Sequence, residues 1–168
     1  LCCSYDSKTQ SVMATVASKK KLFTFFQRDG MDNSTYHREF MAHVDTIKMY
    51  GGMGAIVITP TFVAQKLSEM FTAGTCNESS DPSKDELAIA HKAIQDEVLA
   101  TLMLSGVNKD RYGALHNELA NQFGFGNDLY PKTPDACLQM MNRRRDSNVV
   151  RPPRGPPQQP PPRESAPK

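Results

Sequence analysis

The chain has 168 residues, 39% of them hydrophobic and 23% charged, with no tryptophan and a formal net charge of +2. A chain of that length makes one folded body with any remainder outside it, and a mean hydropathy of −0.51 is low for a core that runs throughout. No run reaches the roughly 18 apolar residues of a membrane span, and no basic n-region leads into a long apolar stretch; the expectation is a soluble, cytoplasmic protein with no membrane partner.

Residues 1–10 are expected to form a flexible flanking segment, and Leu1, where a native chain would carry methionine, marks an expected fragment boundary. Over residues 11–26, SVMATVASKKKLFTFF sets Val12, Val16, Leu22, Phe23 and Phe26 at roughly helical spacings, with Lys19, Lys20 and Lys21 between the two apolar clusters. Asp29 and Gly30 end this first helix. Asn33 is placed to cap a second, in which Tyr36, Phe40, Val44 and Ile47 recur at intervals of four, four and three as a single apolar stripe. Gly51 and Gly52 stop it, glycine tolerating the left-handed conformation common at helix ends. The apolar tetrapeptide AIVI at 55–58 is the best strand candidate, but it has no partner elsewhere and reads as a buried connector.

Thr59 and Pro60 combine a capping hydroxyl with proline at the first helical position, so a third helix runs through Val63 and Leu67 to about Met70. After a polar loop, Ser83-Lys84-Asp85-Glu86 is a capping box that opens the longest helix, carrying Leu87, Ile94, Val98, Leu102 and Leu104. The pattern breaks at Ser105 and Gly106. Asn108 then caps a fifth helix whose Tyr112, Leu115, Leu119 and Phe123 are expected to face the core, with Gln122 outward. Thr133 and Pro134 repeat the cap-plus-proline start, and a short last helix with Ala136, Cys137, Leu138 and Met141 runs into an arginine cluster. The predicted fold is all-α, about six helices over 11–142, followed by a basic, proline-rich tail over 143–168.

The tail dominates the charge pattern. Arg143, Arg144, Arg145, Arg151, Arg154, Arg163 and Lys168 stand against Asp146 and Glu164, a charge of +5 that leaves −3 for the body. From Arg151 the sequence RPPRGPPQQPPPRESAPK offers almost nothing to bury, and its prolines favour extended polyproline II, so a disordered tail is expected. A basic arm on an acidic globule suits a polyanion, because phosphate attraction needs cations but no fixed fold. Arg143, Arg144, Arg145, Arg151, Arg154 and Arg163 are therefore the candidate contacts to RNA, without sequence preference. The same tail carries a second reading: Arg154, Pro157 and Pro160 match R-x-x-P-x-x-P, the form of a ligand for SH3-like domains.

Catalytic and metal readings find little support. Cys2, Cys3, Cys76 and Cys137 show no C-x2-C spacing, so no zinc site is legible and reduced thiols are expected. His37, His43, His91 and His116 form no i, i+4 pair. Gly124-Phe125-Gly126 lacks both a preceding strand and a following Gly-Lys-Ser/Thr, and reads as a helix stop rather than a phosphate loop. The methionines Met49, Met53, Met103, Met140 and Met141 read as adaptable core. No catalytic residue, metal or cofactor is expected.

The downstream block RYGALHNELANQFGFGNDLYPKTPDACLQMMNRRRD resembles the C-terminal part of the capsid region of copia-type LTR retrotransposon Gag proteins. In that family a Tyr-Gly-x-Leu helix leads through a Gly-Asn-Asp turn and a Tyr-Pro-x-Thr helix start into a final helix. Here those elements are Arg111-Tyr112-Gly113-Ala114-Leu115, Gly126-Asn127-Asp128, Tyr130-Pro131-Lys132-Thr133 and residues 136–141. Upstream, LFTFFQRDGMDNSTYHREFMAHVDTIKMYGG is similar to the family's earlier helices, with an aromatic-rich helix end, a Gln-x-x-Gly turn and a Tyr-x-x-x-Phe stripe. The resemblance covers most of 11–146 and implies a non-enzymatic structural protein that self-associates into shells around RNA. It departs from the family after the capsid region, where RPPRGPPQQPPPR stands in place of a CCHC zinc knuckle. A Gag fragment or a domesticated derivative is the implied identity. A helical adaptor presenting the proline-rich ligand is the alternative.

Overall fold

A computed structural model describes residues 3–51, 59–76 and 81–144, with side chains placed for 12–49 of the first stretch. Six α-helices follow one another: α1 (Cys3–Phe23), α2 (Asn33–Gly51), α3 (Pro60–Thr72), α4 (Lys84–Ser105), α5 (Lys109–Gly124) and α6 (Pro134–Arg143). Among the described residues there is no strand, and the fold is all-α. The connector expected at 55–58 and the tail from Arg145 lie outside the described residues.

The helix starts follow local chemistry. Thr59 accepts a hydrogen bond from the Phe62 amide, with Pro60 opening α3. The capping box of α4 is complete: the Glu86 amide donates to Ser83 Oγ at 3.3 Å and the Ser83 amide to Glu86 Oε2 at 2.8 Å. Asn108 and Thr133 cap α5 and α6 by accepting from the amides of Arg111 and Ala136 at 3.0 and 3.1 Å. At α2 the cap is Asp32 rather than Asn33: its carboxylate accepts from the Thr35 amide at 2.9 Å. Hydrogen bonding by Thr35, side chain first and then amide, holds the Asp32 carboxyl below its ordinary pKa. Asn33 is thereby released for another task.

α1 begins at Cys3, earlier than its apolar pattern marks, and ends at Phe23 rather than Phe26. Thr24 closes it, amide and hydroxyl both donating to the Lys20 carbonyl, at 3.1 and 2.8 Å. Beyond it the Gln27 amide donates across to the Gly106 carbonyl at 2.7 Å, leaving the helical ladder. This corrects the expected apolar face. Val12, Val16, Phe23 and Phe26 are 61%, 58%, 52% and 62% exposed, and of the five residues only Leu22 is buried. At about 100° per residue, Val12, Val16 and Phe23 share one narrow face and Leu22 lies on another; α1 packs on α2 and can bury only the latter. Phe25 turns inward in place of Phe26, its ring stacked on Tyr36 at 5.3 Å and meeting His43 edge-on at 5.0 Å.

The core gathers Tyr36, Phe40, Val44 and Ile47 of α2 around Leu99, Met103 and Leu104 of α4, Tyr112, Leu115 and Leu119 of α5, and Cys137 and Met141 of α6. The α2 stripe is as the spacing predicts. On α5 the stripe stops one turn early: Phe123 is 60% exposed, because past Leu119 it finds only the Tyr130 ring, edge-on at 5.9 Å. Gln122, expected outward, is half-buried. Of the methionines, Met103 and Met141 are buried, Met140 is partly so, and Met49 is exposed. The 22 residues of α4 span roughly 33 Å at about 1.5 Å per residue. One half enters this core and the other carries α3. Lys66 of α3 reaches Glu97 of α4 at 2.5 Å and Glu69 at 3.1 Å. Burial disfavours the Lys66 ammonium, but the two carboxylates outweigh it and raise its pKa.

A polar network fastens the helix ends. Gln27, nearly fully buried, donates through Nε2 to the Met31 carbonyl and to Asn33 Oδ1, both at 3.0 Å, while its Oε1 accepts from the Asn108 amide at 3.3 Å. Asn33 Oδ1 also accepts from the Tyr112 hydroxyl at 2.8 Å, and its Nδ2 donates to Asn142 Oδ1 at 2.9 Å. Arg111 donates to the Met31 carbonyl at 2.9 Å. Three helices, α2, α5 and α6, and the loop between α1 and α2 thus meet in one set of hydrogen bonds, each polar group satisfied by another rather than left to a costly desolvation.

Gly106 permits the closest approach in this region. A Cβ there would lie 2.5 Å from the Tyr36 hydroxyl and 2.6 Å from the Phe25 carbonyl oxygen. Gly106→Ala is expected to cost about 1–3 kcal/mol, as overpacking does, and urea unfolding measures it. Adding Tyr36→Phe removes one clash but leaves the backbone one, and it takes from the Met103 carbonyl the hydrogen bond that the hydroxyl donates at 2.8 Å, leaving only that from the Gly106 amide at 3.2 Å. The double variant therefore stays below wild type.

Candidate nucleic-acid interface

The arginine cluster begins where α6 ends. Cys137 and Met141, both fully buried, fix the roll of that helix, and Asp135 in its first turn and Arg143 in its last suit the helix dipole. Arg143 is exposed and makes no ion pair among the described residues. Arg144, the next residue, turns back and pairs with Glu118 of α5. With both side chains partly in solvent such a pair is worth under about 1 kcal/mol. The two arginines thus differ: Arg143 is exposed without an ion pair among the described residues, whereas Arg144 is engaged by Glu118. Arg145, Arg151, Arg154 and Arg163 lie outside the described residues.

Beneath this exit is a groove of about 430 Å³ lined by Leu115, Leu119, Leu129 and Met140, with Glu118, Arg143 and Arg144 at its edge. The turn that shapes it explains the Gly-Asn-Asp motif. Gly126 has φ +84, the Asn127 amide donates to the Gln122 carbonyl at 2.9 Å, and Asp128 accepts from the Tyr130 amide at 3.1 Å. A hydrogen bond from Lys132 holds the Asp128 carboxyl below the usual carboxylate range, with burial opposing it. Lys132 is thereby occupied. Gly124 and Gly126 stop a helix here, as the missing strand and lysine predict.

The remaining reactive side chains do not converge. His37 Nε2 lies 3.1 Å from Asp135 Oδ1 across α2 and α6, His43 packs on Phe25, and His91 is exposed. Burial pushes the Cys137 thiol up to about 12 and raises that of Cys76 as well, so neither is a ready thiolate. Among the described residues no group of three or more His, Cys, Asp or Glu side chains could hold a metal ion, and no helix is long and apolar enough to cross a membrane. Sequence reasoning missed Glu118, since a pairing across 26 positions leaves no periodic trace. No protein-family model, no curated protein and no solved structure matches the chain.

Proposed function

We propose that the chain is a structural, non-enzymatic Gag-like protein of the copia retrotransposon type, which self-associates in the cytoplasm and packages RNA through its basic arm. The reading rests on the motif residues of 111–141 and on the surface they leave exposed. In this fold the motif has structural work: Arg111 and Tyr112 join the polar network, Gly126 and Asp128 make the turn, and Thr133 caps α6. One observation carries the self-association. Large apolar side chains stand in solvent on α1, at Val12, Met13, Val16 and Phe23, and again at the end of α5 and just past it, at Phe123, Phe125 and Leu129. Large exposed apolar side chains grouped on one helix face mark candidate association sites.

Sedimentation of the full chain at increasing concentration, with and without single-stranded RNA, tests the reading. Dimers or larger species that grow with RNA are expected. A strictly monomeric chain that binds an SH3-like domain through Arg154, Pro157 and Pro160 would instead establish the adaptor reading, which those three residues favour.

A further inference from the structure

The folded body has a cationic pocket of its own, far in sequence from the arm. Where α1 ends and the chain turns toward α2, a small cavity of about 170 Å³ is lined by Lys21, Thr24, Phe25, Phe26, Arg28 and His43, with no carboxylate among them. Lys19 and Lys20 precede it on the same helix end. None of Lys19, Lys20, Lys21 and Arg28 has an ion pair among the described residues. The nearest acid in sequence, Asp29, accepts from Asn108 Nδ2 at 2.6 Å at the α4–α5 turn, and with Asp110 it lines a neighbouring cavity that shares Phe26 and Arg28 but not Lys21. The end of α1 contributes a partial charge of only about −0.5, and Thr24 already covers the Lys20 carbonyl. Lys21 and Arg28 are the charged side chains that line the cavity, so it favours an anion despite the body's overall charge of −3.

The aromatic side chains decide which anion. Phe25 is held by its stacking on Tyr36 and by the edge of His43, so it forms a fixed wall. Phe26 is 62% exposed, lines the same cavity as Lys21 and Arg28, and makes no ring–ring contact among the described residues. An exposed ring beside paired cations is the arrangement that holds a nucleotide by its phosphate and its base face together. The bases of a duplex are stacked on one another and cannot offer that face.

We propose that this pocket binds a phosphate of single-stranded RNA, with the adjoining base stacked on Phe26, as a second contact on the body besides the arm. The inference rests on the RNA-binding part of the proposed function, but not on the arm being the route. A dodecamer of uridine, an RNA duplex of equal length and a polyphosphate of equal charge, each titrated against the full chain, test it. Phe26→Ala is expected to weaken the uridine strand by roughly 5- to 150-fold, the range for losing one stacked base, and to leave polyphosphate unchanged. Phe26→Leu, which keeps an apolar side chain, should behave alike and guards against a folding defect. Lys21→Gln with Arg28→Gln should flatten the slope of log K against log salt by about 0.7, the contribution of one phosphate, for both the uridine strand and polyphosphate. Photocrosslinking of a thiouridine strand to the wild-type chain should label residues 22–28. Wild-type binding by the Phe26 variants, or crosslinks confined to 145–168, would overturn the pocket and leave the arm intact. Failure of the full chain to bind the uridine strand at all would overturn RNA binding as a whole.

Discussion

Removing residues 145–168 is expected to flatten the salt dependence of RNA binding by about 3.5 units and to cut the affinity steeply. That stretch holds Arg145, Arg151, Arg154, Arg163 and Lys168, and each cation that neutralises a phosphate on a single strand contributes a slope of about −0.7 by releasing counterions. Over a fourfold rise in salt, five such contacts correspond to roughly a hundredfold loss that the truncated protein no longer shows. Cutting after Arg144 preserves its pair with Glu118, so the body keeps its surface. Single substitutions sharpen the test. Arg143→Ala should flatten the slope by about 0.7, whereas Arg144→Ala should change it less, because that guanidinium is already engaged. Fluorescence anisotropy across a salt series measures all three. Equal binding and equal slope for the truncated chain would remove the arm as an RNA ligand and leave it as a spacer or partner ligand.

Leu119→Ala is expected to destabilise the body by about 2–5 kcal/mol, the range for a buried leucine cut to a methyl group. Leu119 is 3% exposed and shares one core with Cys137 and Met141, so its loss leaves a cavity between α5 and α6. Phe123→Ala, one turn further on, removes a larger side chain but an exposed one, and should cost under about 1 kcal/mol. Urea unfolding of the two variants separates the structure from the bare periodicity, which places both residues on the same buried stripe. Equal costs would mean that α5 is rolled or extended relative to the arrangement described.

Local chemistry made most of the helix starts legible. Thr59-Pro60, Ser83 with Glu86, Asn108 and Thr133-Pro134 each satisfy amides of the turn they open, and that information lies within a few residues. The stripe of α2 was equally plain, since all four of its apolar residues face one core. What the periodicity could not reveal is which of two apolar faces finds a neighbour. On α1 the spacing of Val12, Val16 and Phe23 is as helical as that of a buried stripe, yet the partner helix sits elsewhere. Asn33 was misplaced by one position because Asp32 and Asn33 are both competent caps, and only the tertiary network draws Asn33 away. For the candidate interface, the arginine run was visible as composition. The differing roles of Arg143 and Arg144 depend on Glu118, and the grouping of His43 with Lys21 and Arg28 depends on how α1 and α2 pack.

The hydrogen bond from Asn33 to Asn142 spans 109 positions, which gives the body an order in time as well as in space. During synthesis α1, α2 and α4 can pair as they emerge, but the site that Cys137 and Met141 fill stays open until α6 has left the ribosome. Because so distant a closure must be reached before it rewards the chain, α2 and α6 commit together. The arm follows Asn142 directly, so its cations emerge only after the residues that close the acidic body behind them.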